Sequence, residues 1–319
     1  MLSSASSKNS TVVRSEIAVR ITRAALHTAY LLSEDLGAGF AERLFTSPRR
    51  HARPEREKAV LATGRPFTVE VQLRSPRWNN AVTKVTAWRW GFGPTVLLVH
   101  GWEGRGSQLG SFVQPLVDAG LSVVTFDAPG HGNSPGNRLY LTDLADAVLD
   151  VAAATGPIHA TISHSFGAAA VLLAYPRGGF DAARNIMIAP NVIIEDAVTR
   201  FTRAVAIPDS DRTAFERHLA SHSGIALDAL AIEQLVAHRD AGLLVVHDPL
   251  DREVPFAHGE RLAALWPQAR LHVPEGLGHR RILRDEAVIA SAVAFAAHGV
   301  RPPVSDLVRE VDRQFATRE

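Results

Sequence analysis

Ser165 stands in Ile162-Ser163-His164-Ser165-Phe166-Gly167-Ala168, where an apolar run of strand length gives way to an Ala- and Leu-rich stretch of helical pattern. A serine on such a strand-to-helix turn is held strained with Oγ exposed. Small residues two positions before and after it let strand and helix approach closely. The backbone N–H of Phe166 then points into the space in front of Oγ, backed by the positive end of the helix, where an oxyanion would develop. The chemistry of this arrangement is acyl transfer, which needs a base and a carboxylate to orient the base. Of fourteen histidines, His279 is placed for that role, because Gly276-Leu277-Gly278-His279 follows the last strand-like run and its glycines let a loop fold over a sheet edge. His100, His131 and His164 read as loop scaffolding, while His27, His51, His218, His222 and His238 lie away from the predicted sheet edge. Three carboxylates, Asp248, Asp251 and Glu253, follow the seventh strand-like run. Asp248, directly before Pro249, reads as a turn residue.

The elements that must position these residues follow from hydrophobic periodicity. Strands are predicted at 67–74, 82–90, 95–100, 122–127, 158–164, 185–189, 243–247 and 270–273. The first two alternate, as in a hairpin with its turn at 76–80. Those that follow are short continuous apolar runs, suited to strands buried on both faces. Helical patterns at 108–119, 141–154, 166–174, 254–265 and 287–298 fill the gaps, so the spacing predicts a parallel sheet with right-handed crossovers. The 190–241 stretch is too long for one crossover and carries helical patterns at 194–206, 212–220 and 227–236, as a lid or cap would. Its apolar residues Val198, Phe201, Ile207, Phe215 and Leu219 are suited to a pocket or to a core. Near the N-terminus, 11–36 reads as an amphipathic helix with Val13, Ile17, Ile21, Ala24 and Leu31 on one stripe, calling for its own domain or a homodimer mate as partner. The charged segment 49–58 reads as a solvated linker. The expected organisation is a helical extension and linker at 1–64, an α/β core at 65–189 and 242–300, a cap at 190–241 and a tail at 301–319.

Composition bounds the function. Among 319 residues, 46% are hydrophobic and 21% charged, which excludes a disordered or fibrous chain and allows a sizeable core. Thirty-four Lys and Arg balance 33 Asp and Glu, so no global field favours nucleic acid. The absence of cysteine rules out disulfides, thiol catalysis and Cys-ligated metals. Gly104-Arg105-Gly106 lacks the Lys-Ser/Thr of a phosphate loop, and no His and carboxylate spacing indicates a metal, so no cofactor is expected. The first residues lack the pattern of a secretory signal, and 17–36 is broken by Arg20, Arg23, His27, Glu34 and Asp35. A cytoplasmic protein without an integral membrane segment is the expectation.

From about 67 to 298 the chain resembles the α/β-hydrolase superfamily, its esterases and lipases in particular, in four ordered motifs. These are Val99-His100-Gly101-Trp102, Asp127-Ala128-Pro129-Gly130-His131-Gly132-Asn133-Ser134, Ser163-His164-Ser165-Phe166-Gly167, and Asp251 followed by Gly278-His279. Ser163 stands where that family most often has glycine. The resemblance implies an eight-stranded, mostly parallel sheet with helices on both faces and a small helical cap. It also implies a triad of Ser165, Asp251 and His279, with the Trp102 and Phe166 N–H groups as oxyanion hole, and a purely structural turn at Asp127. The function implied is a carboxylesterase-type serine hydrolase acting on a small-molecule ester through an acyl-enzyme. The same triad serves thioesters, amides, C–C bonds flanked by carbonyls and acyl transfer, and the fold also supports ligand-binding homologues that have lost the reaction.

Overall fold

The computed structural model describes residues 3–236 and 241–298, with side chains from residue 17 onward. The Val13 side chain, His238 and the 301–319 tail lie outside the described residues. Strand β1 (Arg65–Gln72) pairs antiparallel with β2 (Val82–Trp90), which pairs antiparallel with β4 (Ser122–Phe126). Strands β3 (Thr95–Val99), β5 (Ile158–His164), β6 (Ala182–Ile188), β7 (Gly242–Val246) and β8 (Ala269–His272) complete an eight-stranded sheet in the order β1-β2-β4-β3-β5-β6-β7-β8, parallel from β4 onward. In the hairpin, Asn79 and Asn80 adopt positive φ (48° and 60°), a conformation their short polar side chains tolerate.

Successive strand side chains point to opposite faces, which is why the continuous runs are buried throughout. Leu97, Val124 and Val245 face a core that includes Leu144 and Val148 of α5 (Leu141–Thr155), Leu172 of α6 (Phe166–Ala174) and Leu262 of α10 (Ala257–Leu265). Val96, Leu98, Val123 and Ile162 face the opposite core with Leu116 of α4 (Val113–Asp118) and Val288 of α12 (Glu286–Ala297). The predicted helix at 108–119 is divided, because a 3-10 segment at Gly106–Phe112 precedes α4.

The cap consists of α7 (Ile194–Val205), α8 (Asp209–Ser223) and the short α9 (Ile232–Leu235). The sequence reading of the N-terminal segment needs correction. It forms two helices, α1 (Ser3–Leu32) and α2 (Glu34–Thr46), and α2 is disguised by two glycines, Gly37 and Gly39, the first of which is needed for packing. A Cβ at Gly37 would lie 2.3 Å from the Tyr30 ring, so only glycine lets α1 and α2 cross here. The predicted stripe faces solvent, with Ile17, Ile21 and Leu31 at 51%, 64% and 74% exposure, and no described residue covers it. The opposite side of α1 carries Leu26, which joins Ala41 of α2 and Val198, Ile207 and Phe215 of the cap in a third core. No helix among the described residues is long and apolar enough to cross a membrane.

Residues 49–58 are likewise not a free linker. Arg53 pairs with buried Asp127, Arg50 donates to the carbonyls of Gly132 (2.6 Å) and Ser134 (2.6 Å), and α3 (Glu55–Ala62) buries Glu57 against Arg105 (2.6 Å). Arg50, Arg53 and Glu57, among the charges that suggested solvent exposure, find their partners in loops of the core, while Lys58 pairs with Glu55 within the segment and Arg56 stays exposed.

One carboxylate ties the extension, core and cap together. Glu42 of α2, 1% exposed, accepts from Tyr140 Oη (2.6 Å) and from His222 Nδ1 of α8 (2.7 Å), with His218 Nε2 at 3.4 Å and Arg138 Nη1 at 3.9 Å. Truncation would leave the buried Tyr140 Oη without its acceptor and take the shared partner from both half-buried histidines. Glu42→Ala is therefore expected to lower unfolding free energy by about 2–4 kcal/mol, read from urea denaturation midpoints. A change under about 0.5 kcal/mol would place Glu42 outside the framework.

Candidate active site

At the end of β5, Ser165 has φ 53° and ψ −123°, a strained conformation that turns the chain directly into α6. The turn is possible because its neighbours are small: a Cβ on Gly167 would lie 2.6 Å from His100 O, and one on Gly101 2.9 Å from Ser165 Cβ. Ser163, in the usual glycine position, is fully buried with its Oγ donating to Ile186 O (3.4 Å). Phe166 N–H is the first of α6, whose initial N–H groups have no intrahelical acceptor. Across from it, Gly104 N–H bonds Gly101 O (3.0 Å), closing a turn with Trp102 and Glu103 at its centre, and Glu103 takes φ 53°.

Three histidines hold these loops. His100 donates from Nδ1 to Gly101 O (2.7 Å) and accepts Ala128 N–H at Nε2 (2.9 Å), which fixes a neutral tautomer and a structural role. His131 accepts Glu103 N–H at Nε2 (3.1 Å) and so braces the Trp102 turn. His164 donates from Nε2 to His279 O (2.9 Å), anchoring the backbone of the candidate base itself.

His279 lies in α11 (Gly278–Arg281), and its Nδ1 is 2.7 Å from Asp251 Oδ2. Asp251 Oδ1 accepts from Glu253 N–H (2.8 Å) and Val254 N–H (3.0 Å). Burial alone would raise the Asp251 carboxyl. Hydrogen bonds from His247 and His279, the charge of His279 and the Val254 N–H outweigh burial and hold it far below the ordinary carboxylate range. His247, fully buried at the end of β7 with Nε2 3.5 Å from Asp251 Oδ2, is a second imidazole on this acid that sequence spacing did not reveal. No hydrogen bond joins Ser165 Oγ to His279 here, although both line the same cavity. Such contacts commonly tighten only when substrate binds.

Asp248 departs from its reading as a simple turn residue. Oδ1 accepts Leu250 N–H (2.8 Å), as in a turn, but Oδ2 reaches across to Gly278 N–H, one residue before His279. The carboxylate is fully buried, and its pKa is lowered despite that burial by backbone N–H donors from Gly278, Leu250, Leu277 and Gly276. Asp127 accepts from Gly106 N–H (2.9 Å) and Asn133 N–H (2.7 Å), as expected of a structural turn.

Two cavities of different character meet here. One, of about 670 Å³, holds Ser165, His164 and His279 together with polar and charged side chains, including His51, which the sequence reading had placed away from the site. The other, about 300 Å³, is predominantly apolar and is walled by Leu44 and Phe45 of α2, Phe201 and Leu219 of the cap, and Phe166. Trp102 and Asn191 line both. Asn191 N–H bonds Ser165 O (3.1 Å), and its Oδ1 is buried without a partner, another residue with no signal in sequence. Of the five cap residues in question, Phe201 and Leu219 face the apolar cavity, while Val198, Ile207 and Phe215 are buried in the third core. Among the described residues, Glu42, His218 and His222 form a group whose ligand atoms lie within 4.8 Å of one another, a donor set that would suit a divalent transition ion and that sequence spacing did not display. It lies between α2 and α8, where Tyr140 and Arg138 already engage Glu42.

Comparison with known proteins agrees with this fold. The family described as Hydrolase_4, serine aminopeptidase S33, matches residues 93–222. The chain is 29% identical to a monoacylglycerol lipase of Mycolicibacterium smegmatis over 205 residues, 52% of this chain and 73% of that one. The chain has the α/β-hydrolase fold and is similar in sequence to that superfamily. Its fold is shared with Rv0554 of Mycobacterium tuberculosis (TM-score 0.58, 19% identity, 73% of this chain and 99% of that one). The esterase EaEST of Exiguobacterium antarcticum is also similar (TM-score 0.52, 16% identity, 72% and 99%). In this chain the helices α1 to α3 precede the span matched by the family, yet α2 walls the apolar cavity next to the one that holds Ser165.

The site also sets a pH response. Burial lowers His100 to about 4 and His131 and His164 to about 3, and it lowers His258 as well. In the unfolded chain a histidine titrates near 6.5. The stability these four contribute is present in full above that value and is lost as pH falls from about 6.5 toward the folded values, at up to about 1.4 kcal/mol per pH unit for each of His100, His131 and His164. Asp143 and Asp146, raised by burial, act with the opposite sign but are fewer. Unfolding between pH 6.5 and 5 is expected to take up protons, so stability falls steeply there. Urea titrations across that range that gave a flat profile would contradict the burial of neutral histidines.

Proposed function

We propose that this α/β hydrolase is a serine hydrolase that cleaves carboxylic esters of apolar acids through an acyl-enzyme. The observation that carries the reading is a strained Ser165 and an Asp251-held His279 on the wall of one cavity, with an apolar cavity beside them. Asp251 keeps the proton of His279 on Nδ1 and stabilises the imidazolium. Nε2 takes the Ser165 proton as Oγ bonds the acyl carbon. The Trp102 and Phe166 N–H groups receive the oxyanion, and removing one such donor typically costs about 3–4 kcal/mol. The bond to the leaving oxygen then breaks as His279 returns the proton to it, and water repeats the sequence to release the acid. The similarity to a monoacylglycerol lipase supports an ester as substrate.

The acyl chain is assigned to the apolar cavity, where each buried methylene contributes about 0.8 kcal/mol, or roughly fourfold in kcat/KM. Fluorophosphonate labelling at Ser165 and a series of nitrophenyl esters test the reading together. Turnover is expected to rise with acyl length until the cavity is full. Leu219→Trp, which fills it from α8, should shift the optimum to shorter chains. An unlabelled serine would refute the hydrolase assignment, and a length profile indifferent to Leu219→Trp would move the acyl chain elsewhere.

A further inference from the structure

The cavity that holds Ser165 and His279 carries more guanidinium groups than carboxylates in its described lining. Three arginines are already paired: Arg49 with Glu103 (2.8 Å), Arg105 with Glu57 (2.6 Å) and Arg280 with Glu253 (2.9 Å). Those pairs engage every carboxylate of that lining. Arg56, on α3, and Arg284, just after α11, line the same cavity, are exposed, and have no hydrogen-bond or ion-pair partner among the described residues. Both elements adjoin the reaction centre: α3 is locked to the core by the Glu57–Arg105 pair, and α11 carries His279.

The apolar cavity lies across Trp102 and Asn191 from this one. An ester bridging Ser165 with its hydrocarbon acid in the apolar cavity has its alcohol or thiol in the cavity that the two free guanidiniums line. A neutral leaving group gains nothing from them. A phosphate, with a charge of about −1.5 to −2 at neutral pH and several acceptor oxygens, matches the guanidinium fork in both charge and geometry. We propose that the substrate is an acyl ester or thioester whose leaving group bears a phosphate, held by Arg56 and Arg284. The proposal rests on Ser165 being the nucleophile.

Two substrate pairs, each differing by one phosphate and sharing one acyl chain, test this: acyl-4′-phosphopantetheine against acyl-pantetheine, and 1-acylglycerol 3-phosphate against 1-monoacylglycerol. The phosphorylated member of at least one pair is expected to have the higher kcat/KM by about tenfold at low salt, falling toward parity at about 0.5 M salt. The pair with the larger ratio distinguishes a soluble thiol carrier from a glycerolipid. In Arg56→Ala/Arg284→Ala the ratio should collapse toward one, and in the corresponding double lysine variant most of it should return. Equal kcat/KM within both pairs, or a ratio that survives the double alanine variant, overturns the proposal. Fluorophosphonate labelling of the same preparation separates the two levels: a labelled, ester-cleaving enzyme without phosphate preference sinks this inference alone, whereas failure to label Ser165 sinks the reading beneath it.

Discussion

Ser165→Ala is expected to lower ester turnover by on the order of 10³ or more, with melting temperature nearly unchanged. The structure separates the two readouts. Ser165 Oγ makes no hydrogen bond among the described residues, so its loss strands no partner. The positive φ of 53° is equally unfavourable for serine and alanine, so the strained turn is neither relieved nor worsened. Removal of one exchangeable oxygen at so small a residue should change stability by less than about 0.5 kcal/mol. Activity has no such tolerance, because only the oxyanion donors and substrate binding would remain. Near-normal turnover in the purified variant would remove Ser165 from the chemistry.

A second large effect is expected at Asp251. Asp251→Asn preserves volume but places an amide where His279 Nδ1 now meets a carboxylate oxygen at 2.7 Å, which favours the wrong tautomer and no longer stabilises imidazolium. A loss of about 10⁴ in kcat is expected. The other aspartate of the loop should respond differently. In Asp248→Asn an amide N–H₂ facing Gly278 N–H would set donor against donor, while the carbonyl could still accept Leu250 N–H (2.8 Å in the parent). Stability should fall by about 1–3 kcal/mol. Turnover should drop more modestly than in Asp251→Asn, through displacement of the loop that carries His279. Asp248 is thus a positioning residue, and its distinguishing readout is a loss of activity that tracks the fall in melting temperature, whereas in Asp251→Asn, which also loses the hydrogen bonds of a buried carboxylate, the loss of turnover far exceeds what the fall in melting temperature accounts for. An inactive Asp248→Asn beside an active Asp251→Asn would show that the acid has been assigned to the wrong residue.

The sheet was legible in the sequence because parallel strands buried on both faces must be continuously apolar, as Val96 to Val99 and Val123 to Phe126 are. The elbow was legible for a related reason: close strand–helix approach leaves room only for small residues at 163 and 167, and that constraint is local. What remained hidden depended on meetings between distant segments. Gly37 and Gly39 look like helix breakers until the Tyr30 ring and His218 are found packed against them. The charges of 49–58 look solvated until Asp127 and Arg105 are brought beside Arg53 and Glu57. Asp248 looks like a turn former because its bond to Leu250 is two residues away, whereas its bond to Gly278 spans thirty. The sequence by itself determined the strand order along the chain, the serine turn and the residues available for acyl transfer, since each is encoded in short-range periodicity or spacing. Only the tertiary structure decided that helix α2 walls the apolar cavity, that His247 and Asn191 join the site, and which arginines are left unpaired in the lining of the cavity that holds Ser165. Those facts depend on which side chains of remote segments meet, and no local pattern of residues specifies that.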